Sequence, residues 1–74
     1  MNNVPQLQSW PDLVGKHTDY AVKVIHQDRP DLRVDGRLEG HDPEPEIEEL
    51  DRVIVWQFID TGFNSIVSRV PTQG

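Results

Sequence analysis

Apolar positions along this chain fall into three differently spaced runs, each predicting one element. From His17 to Asp28 they recur at Ala21, Val24 and Ile25, with Lys23, His26 and Gln27 facing water, which is the stripe of an amphipathic helix; Tyr20 is counted with the inward face. His17 or Thr18 can cap its start, Asp19 suits the positive end of the helix dipole, and Arg29-Pro30 ends it. Leu32–Glu39 alternates: Leu32, Val34, Gly36 and Leu38 take one face, and Arg33, Asp35, Arg37 and Glu39 the other, as in a half-buried strand with a soft spot at Gly36. Leu50–Ile59 is a β-branched and aromatic run, expected as a central strand covered on both faces.

Between these strands lies GHDPEPEIEE, Gly40–Glu49, with five acids and two prolines. Missing amide donors and mutual repulsion exclude a central strand or a packed helix, so the segment is an exposed loop stiffened at Pro43 and Pro45. It is longer than the two to five residues of a tight hairpin, which favours parallel strands on its two sides. Asp60-Thr61-Gly62 reads as a turn, and Ile66–Val70 as a short edge strand before Pro71. The economical fold is α+β: one helix packed on a small mixed β-sheet, with a long exposed loop joining two parallel strands. Residues 1–8 read as a flexible arm and 9–74 as a single domain.

Composition narrows what such a domain does. At 74 residues it buries about 60% of its unfolded surface, and with no cysteine and no metal-spaced cluster its core must suffice. A net charge of −6 with seven scattered basic residues offers no footprint for nucleic acid. No apolar run approaches a membrane span. The first residues lack the basic and apolar regions of a signal peptide, leaving a cytoplasmic protein or a secreted one without its leader.

Two anchors carry a resemblance: SWPDLVGK (Ser9–Lys16) and LDRVIVWQF (Leu50–Phe58), with VPTQG (Val70–Gly74) closing the chain. Together they resemble the potato type I family of serine-protease inhibitors, the family of eglin, over roughly residues 9–58 and the last few residues. The resemblance implies a function: reversible, substrate-like inhibition, in which an exposed loop enters the protease active site, is cleaved very slowly, and keeps its cut ends together. A loop already in its bound shape loses little ordering entropy, so an interface of ordinary size becomes tight.

The family pattern also implies residue roles. Glu39-Gly40 and Asp51-Arg52-Val53 match the two ends of its loop, with one extra residue at His41 or Asp42. Counting from both ends makes Pro43, Glu44, Pro45, Glu46, Ile47 and Glu48 the protease-binding segment, with Glu46 at the primary-specificity position P1. A register shifted by one makes Ile47 the candidate, with an elastase- or subtilisin-like target. Arg52 is the implied brace beneath the loop, and the segment up to Gly74 packs near it. Pro45 replaces a threonine, Ile47 an acid and Ile54 a second bracing arginine, so half of the usual brace is expected to be missing. A glutamate at P1 points to a glutamate-specific serine protease, because an unpaired carboxylate in an apolar pocket costs several kcal/mol.

Rival readings come from the residues themselves. His41, Asp42, Glu44, Glu46, Glu48 and Glu49 lack the spacing and central glycine of a calcium loop; no metal or other cofactor is expected. Ser9, Ser65 and Ser68 stand in no nucleophile motif, and a convex loop offers no cavity for acid–base chemistry, so an enzyme is not expected. Trp10 reads as core; Trp56 lies either within the sheet packing or outward. Outward Ile54, Trp56 and Phe58 would define the alternative: a non-inhibitory scaffold serving as a protein-interaction domain, or a dimer through the sheet instead of the expected monomer.

Overall fold

The computed structural model describes residues 7–74; the arm drawn at 1–8 therefore lies mostly outside the described residues. After a short 3-10 turn at Pro11–Leu13, the chain forms helix α1 (Thr18–Asp28) and strands β1 (Arg33–Leu38), β2 (Arg52–Ile59), β3 (Ser65–Val67) and β4 (Thr72–Gln73). Strand β2 is the axis of the sheet. It runs parallel to β1 along one edge, with Arg33 opposite Arg52 and Arg37 opposite Trp56. On its other edge it pairs antiparallel with β3 at Gln57–Ile59 and with β4 at Val53–Ile54. This is the expected α+β arrangement, with a long connection between two parallel strands.

Helix α1 packs on one face of that sheet. Ala21 and Ile25 are fully buried, and with Trp10, Leu13, Leu32, Val53, Val55 and Val67 they form the core, against which Val24 and Val34 pack. The N-cap position is His17, which makes no side-chain cap bond. Thr18 turns inward instead and its hydroxyl pairs with that of Ser65 at 2.7 Å, tying the helix start to β3. The Trp10 indole N–H donates to Asp28 at 2.9 Å, closing the other end of the helix over the first turn. Tyr20 is a correction: it is 54% exposed. With about 100° between successive helix residues, a stripe centred on Thr18, Ala21 and Ile25 leaves position 20 well off the inward face.

The strands depart from expectation in instructive ways. Arg52 to Trp56 are buried without interruption, as expected for a strand covered twice, but Phe58 and Ile59 emerge into solvent. Ile54 and Trp56 are each only 7% exposed. The outward Ile54–Trp56–Phe58 surface weighed for self-association is therefore absent, and only Phe58 of the three is exposed. The alternation in β1 is blunted, because Asp35 and Arg37 on the second face are half-buried and paired with each other. The edge strand expected at Ile66–Val70 is Ser65–Val67; after Ser68, whose N–H still reaches the Trp56 carbonyl at 2.9 Å, the chain leaves the ladder. Strand β4 was not anticipated at all. It is two residues long, and it closes the domain by pairing on both sides: with β2 at Val53–Ile54 on one, and on the other with Gln8–Ser9, where Ser9 bridges Thr72 and the Gln73 N–H donates to the Gln8 carbonyl at 2.8 Å.

Turns are set by local side chains. Asp60 accepts from the Gly62 and Asn64 N–H groups at 2.8 and 2.9 Å, which folds the β2–β3 connection. These backbone donors, led by Asn64, hold its carboxyl below the usual aspartate range. The same turn places Phe63 at φ +63° with 91% of its surface exposed.

With so small a core, single truncations should be costly. Ile25→Ala removes a fully buried side chain from the helix–sheet contact and is expected to destabilise the domain by about 2–5 kcal/mol, measured by urea unfolding monitored at the tryptophans.

Candidate functional site

The connection from Glu39 to Asp51 is built from two folded ends and an extended middle. At its start the His41 and Asp42 N–H groups donate to the Leu38 carbonyl at 3.1 and 3.0 Å, while the Asp42 carboxylate accepts the Leu38 N–H at 2.7 Å. The tight turn puts Gly40 at φ +78°, a left-handed conformation that glycine adopts without strain. At its end the Arg52 N–H donates to the Glu49 carbonyl at 3.1 Å and the Arg33 N–H to that of Asp51 at 2.9 Å. Between them, Pro43 to Glu48 are all exposed and, among the described residues, make no backbone-to-backbone hydrogen bond. Side chains beneath the loop hold it instead.

Three arginines do so from three elements. Arg37, on β1, donates from Nη1 to the Pro43 carbonyl at 2.7 Å and is itself oriented by Asp35 at 3.1 Å. Arg69, just beyond β3, reaches Glu44 at 2.6 Å and Glu39 at 2.5 Å, and its guanidinium lies 4.0 Å from the centroid of the Trp56 ring. Arg52, the first residue of β2, donates from Nη2 to the Ile47 carbonyl at 2.9 Å and from Nη1 to Glu49 at 2.5 Å. Glu49 is also gripped by Arg33 at 2.6 Å.

Arg52 is only 3% exposed. Its Nε–H has no acceptor among the described residues, and neither Pro45 nor Ile47 carries a side-chain oxygen to supply one. Below it, the Gly74 N–H donates to the Arg52 carbonyl at 2.8 Å, and the Gln73 amide to the Leu50 carbonyl at 2.7 Å. Gly74 sits at φ +120°, a conformation that glycine adopts without strain, directly against the Glu48 side chain. A groove of about 370 Å³ remains between Pro45–Glu48 and the segment Thr72–Gly74.

Charge follows the same plan. Arg69, and to a smaller degree the Ser68 hydroxyl, hold the Glu39 carboxyl below the usual glutamate range, while Glu39 and Glu44 raise the Arg69 guanidinium further above its ordinary value. Glu44 and Glu49 thus have cationic partners, and Asp42 caps a strand end. Among the described residues Glu46 has no such partner. No group of three or more His, Asp or Glu side chains among those residues is arranged to hold a metal ion.

Arg52, singled out in the sequence, thus lies beneath the second half of the connection, whereas Arg37 and Arg69, beneath its first half, were not expected there. The signal for Arg37 was available: it shares the Asp35 face of β1, the face turned away from the core. Arg69 carried none, since its position depends on where β3 releases the chain.

A single helix on a mixed sheet, with an exposed loop strung between parallel strands and braced from below, defines a small disulfide-free protease-inhibitor scaffold. The potato inhibitor I family profile matches residues 2–74, and the chain belongs to that family, whose members are inhibitors and not enzymes. A crystallised trypsin inhibitor from bitter gourd is similar in structure, with a TM-score of 0.74 and 34% identity, covering 93% of this chain and 96% of that one. No curated protein gives a significant sequence match.

Two predictions follow from the brace. Arg52→Met is expected to cost about 1–3 kcal/mol, since it leaves the Ile47 carbonyl without its donor and removes one of the two arginine partners of Glu49; chemical denaturation measures this. The second concerns acid. Because the Glu39 carboxyl is depressed in the folded state, its pairing contributes stability above the unfolded glutamate value of about 4.3 and loses it as pH falls through the lower folded value. Glu39→Gln should therefore flatten the acid limb of the stability–pH curve below about pH 4.3, read from melts of both proteins across that range.

Proposed function

We propose that the chain inhibits a serine protease by presenting Pro43–Glu48 as a substrate, with Glu46 at P1 and the Glu46–Ile47 bond facing the catalytic serine. The observation that carries this register is the use of carbonyl oxygens. A P1 carbonyl must be free to enter the oxyanion hole. The Ile47 carbonyl is engaged by Arg52, whereas that of Glu46 accepts no bond among the described residues. Ile47 is thereby disfavoured at P1, and Pro45–Glu46 is flanked on both sides by anchored residues, Glu44 and Ile47.

The side chains agree. Glu46 is exposed and, among the described residues, unpaired, so it reaches a partner's pocket without breaking an ion pair to any of them. That pocket must supply cationic or hydrogen-bonding groups, because a desolvated carboxylate needs a partner. Trypsin, the target of the bitter gourd neighbour, has an aspartate at the base of its pocket, which repels an acidic P1. A glutamate-specific serine protease fits this loop; a subtilisin- or elastase-like enzyme fits only the shifted register. Pro43 and Pro45 restrict the unbound loop, which lowers the entropy lost on association.

The test is an inhibition panel of subtilisin, chymotrypsin, trypsin, an elastase and a glutamate-specific serine protease, with mass spectrometry of each mixture. Tight inhibition of the glutamate-specific enzyme with slow cleavage at Glu46–Ile47 is expected. Glu46→Ala should weaken that inhibition by about 2–5 kcal/mol, the cost of losing one partner of a buried charge contact. Rapid cleavage within the loop, or no binding to any of the five, overturns the reading.

A further inference from the structure

We propose that Arg37 and Arg69 are the positioning residues for the acyl side of the loop, a second clamp that acts independently of Arg52 and holds Pro43–Glu46 in place after the Glu46–Ile47 bond is cut. The inference rests on Pro43–Glu48 being the protease-binding segment. Arg52 reaches only the leaving-group side, at Ile47 and Glu49. The next outward-facing position on β2 is the apolar, buried Ile54. Nothing on β2 therefore grips the residues before the scissile bond.

Arg37 and Arg69 fill that place around a shared platform, the Trp56 indole. Arg37 stands beside Trp56 in the parallel ladder, and Arg69 lies over its ring. Asp35 and Glu39 orient the two guanidiniums from the same side of the sheet. The grips are complementary: Arg37 takes a backbone carbonyl, at Pro43, and Arg69 takes a side chain, at Glu44. A guanidinium suits both tasks, because its fixed fork bonds an orienting carboxylate and a second acceptor at once.

The consequence is chemical. Attack by the protease serine forms an ester at the Glu46 carbonyl carbon and breaks the bond to the Ile47 nitrogen, which leaves as an amine carrying the proton relayed from the serine hydroxyl. Resynthesis is the reverse, and it needs that amine within reach of the ester. Arg52 keeps Ile47 in place while Arg37 and Arg69 keep Glu46 in place, so neither new end diffuses away. Two separate clamps, one for each product end, are what turn a substrate-like loop into a slowly cleaved one.

The experiment compares wild type with Arg37→Met, Arg69→Met and the double variant, methionine being chosen to keep Trp56 covered without charge. Arg69→Lys serves as the conservative variant, and Lys23→Met, on the solvent side of α1, as the charge control. The first readout needs no protease: backbone order parameters at Glu44, Glu46 and Ile47. In the double variant Glu44 and Glu46 are expected to fall from rigid values near 0.85 to below about 0.6, with Ile47 unchanged. The second uses the glutamate-specific protease: cleavage at Glu46–Ile47 should quicken about tenfold or more, the scale of one lost charge-assisted hydrogen bond, and cut protein should no longer reseal. Arg69→Lys should recover part of both effects, and Lys23→Met should show neither. Should the double variant unfold, the two single variants carry the same comparison.

Unchanged order and cleavage rate overturn the clamp, even where wild type inhibits tightly. Conversely, a wild type that inhibits no protease while the variants still loosen Glu44 and Glu46 removes the inhibitor reading and leaves the clamp standing.

Discussion

A guanidinium buried at the first residue of the central strand is the constraint around which this small domain is arranged. Arg52 occupies a position that, in a conventional sheet, would hold an aliphatic side chain. A charge there is costly without partners, and both terminal nitrogens of Arg52 have them, while its Nε–H has no acceptor among the described residues. The loop above supplies a carbonyl and a carboxylate, and the chain end supplies an amide to its backbone. The acidity of the loop follows from this: Glu49 answers Arg52 and Arg33, and Glu44 answers Arg69. Of the five acids at Gly40–Glu49, Glu44 and Glu49 are the counterweight to arginines lying beneath the loop.

The same arrangement explains how Pro43–Glu48, without backbone-to-backbone hydrogen bonds among the described residues, are held on a scaffold without disulfides. Many small domains stiffen their functional loops with covalent crosslinks. Here the stiffening passes through side chains that are themselves oriented by neighbours: Asp35 orients Arg37, Glu39 and Trp56 orient Arg69, and burial orients Arg52. Rigidity at the surface is inherited from the sheet. The core of Ile25, Val53, Val55 and Val67 matters to the loop for that reason, because a sheet that shifts would carry all three arginines with it.

Elements with a strong period were legible in the sequence. The helix stripe of Ala21, Val24 and Ile25, the alternation of β1 and the apolar run of β2 each reflect burial, and burial writes itself into hydropathy. Pro43 and Pro45 excluded regular structure between the strands. What escaped notice has no such imprint. Strand β4 is two residues whose pairing is decided by the neighbours at Ser9 and Val53, and Tyr20 was drawn inward by its aromaticity although its angle on the helix faces it to water. Arg69 belongs to the site through tertiary geometry alone, and Arg37 only because the second face of β1 lies under the loop. The family pattern directed attention to β2 for the brace, and it is on β1 and beyond β3 that the replacement arginines stand.

A brace made of ions answers to the solvent in a way that a crosslink does not. The screening length shrinks from about 8 Å at physiological ionic strength to about 3 Å in molar salt. The two halves of the loop are not equally shielded from that change. Arg52 is enclosed, whereas the Arg69–Glu44 pair lies at the surface with 42% and 63% of its side chains accessible. Rising salt therefore weakens the hold on Glu44 before the hold on Ile47, so that dissolved electrolyte, with no change in sequence, sets how evenly the two halves of the loop are held.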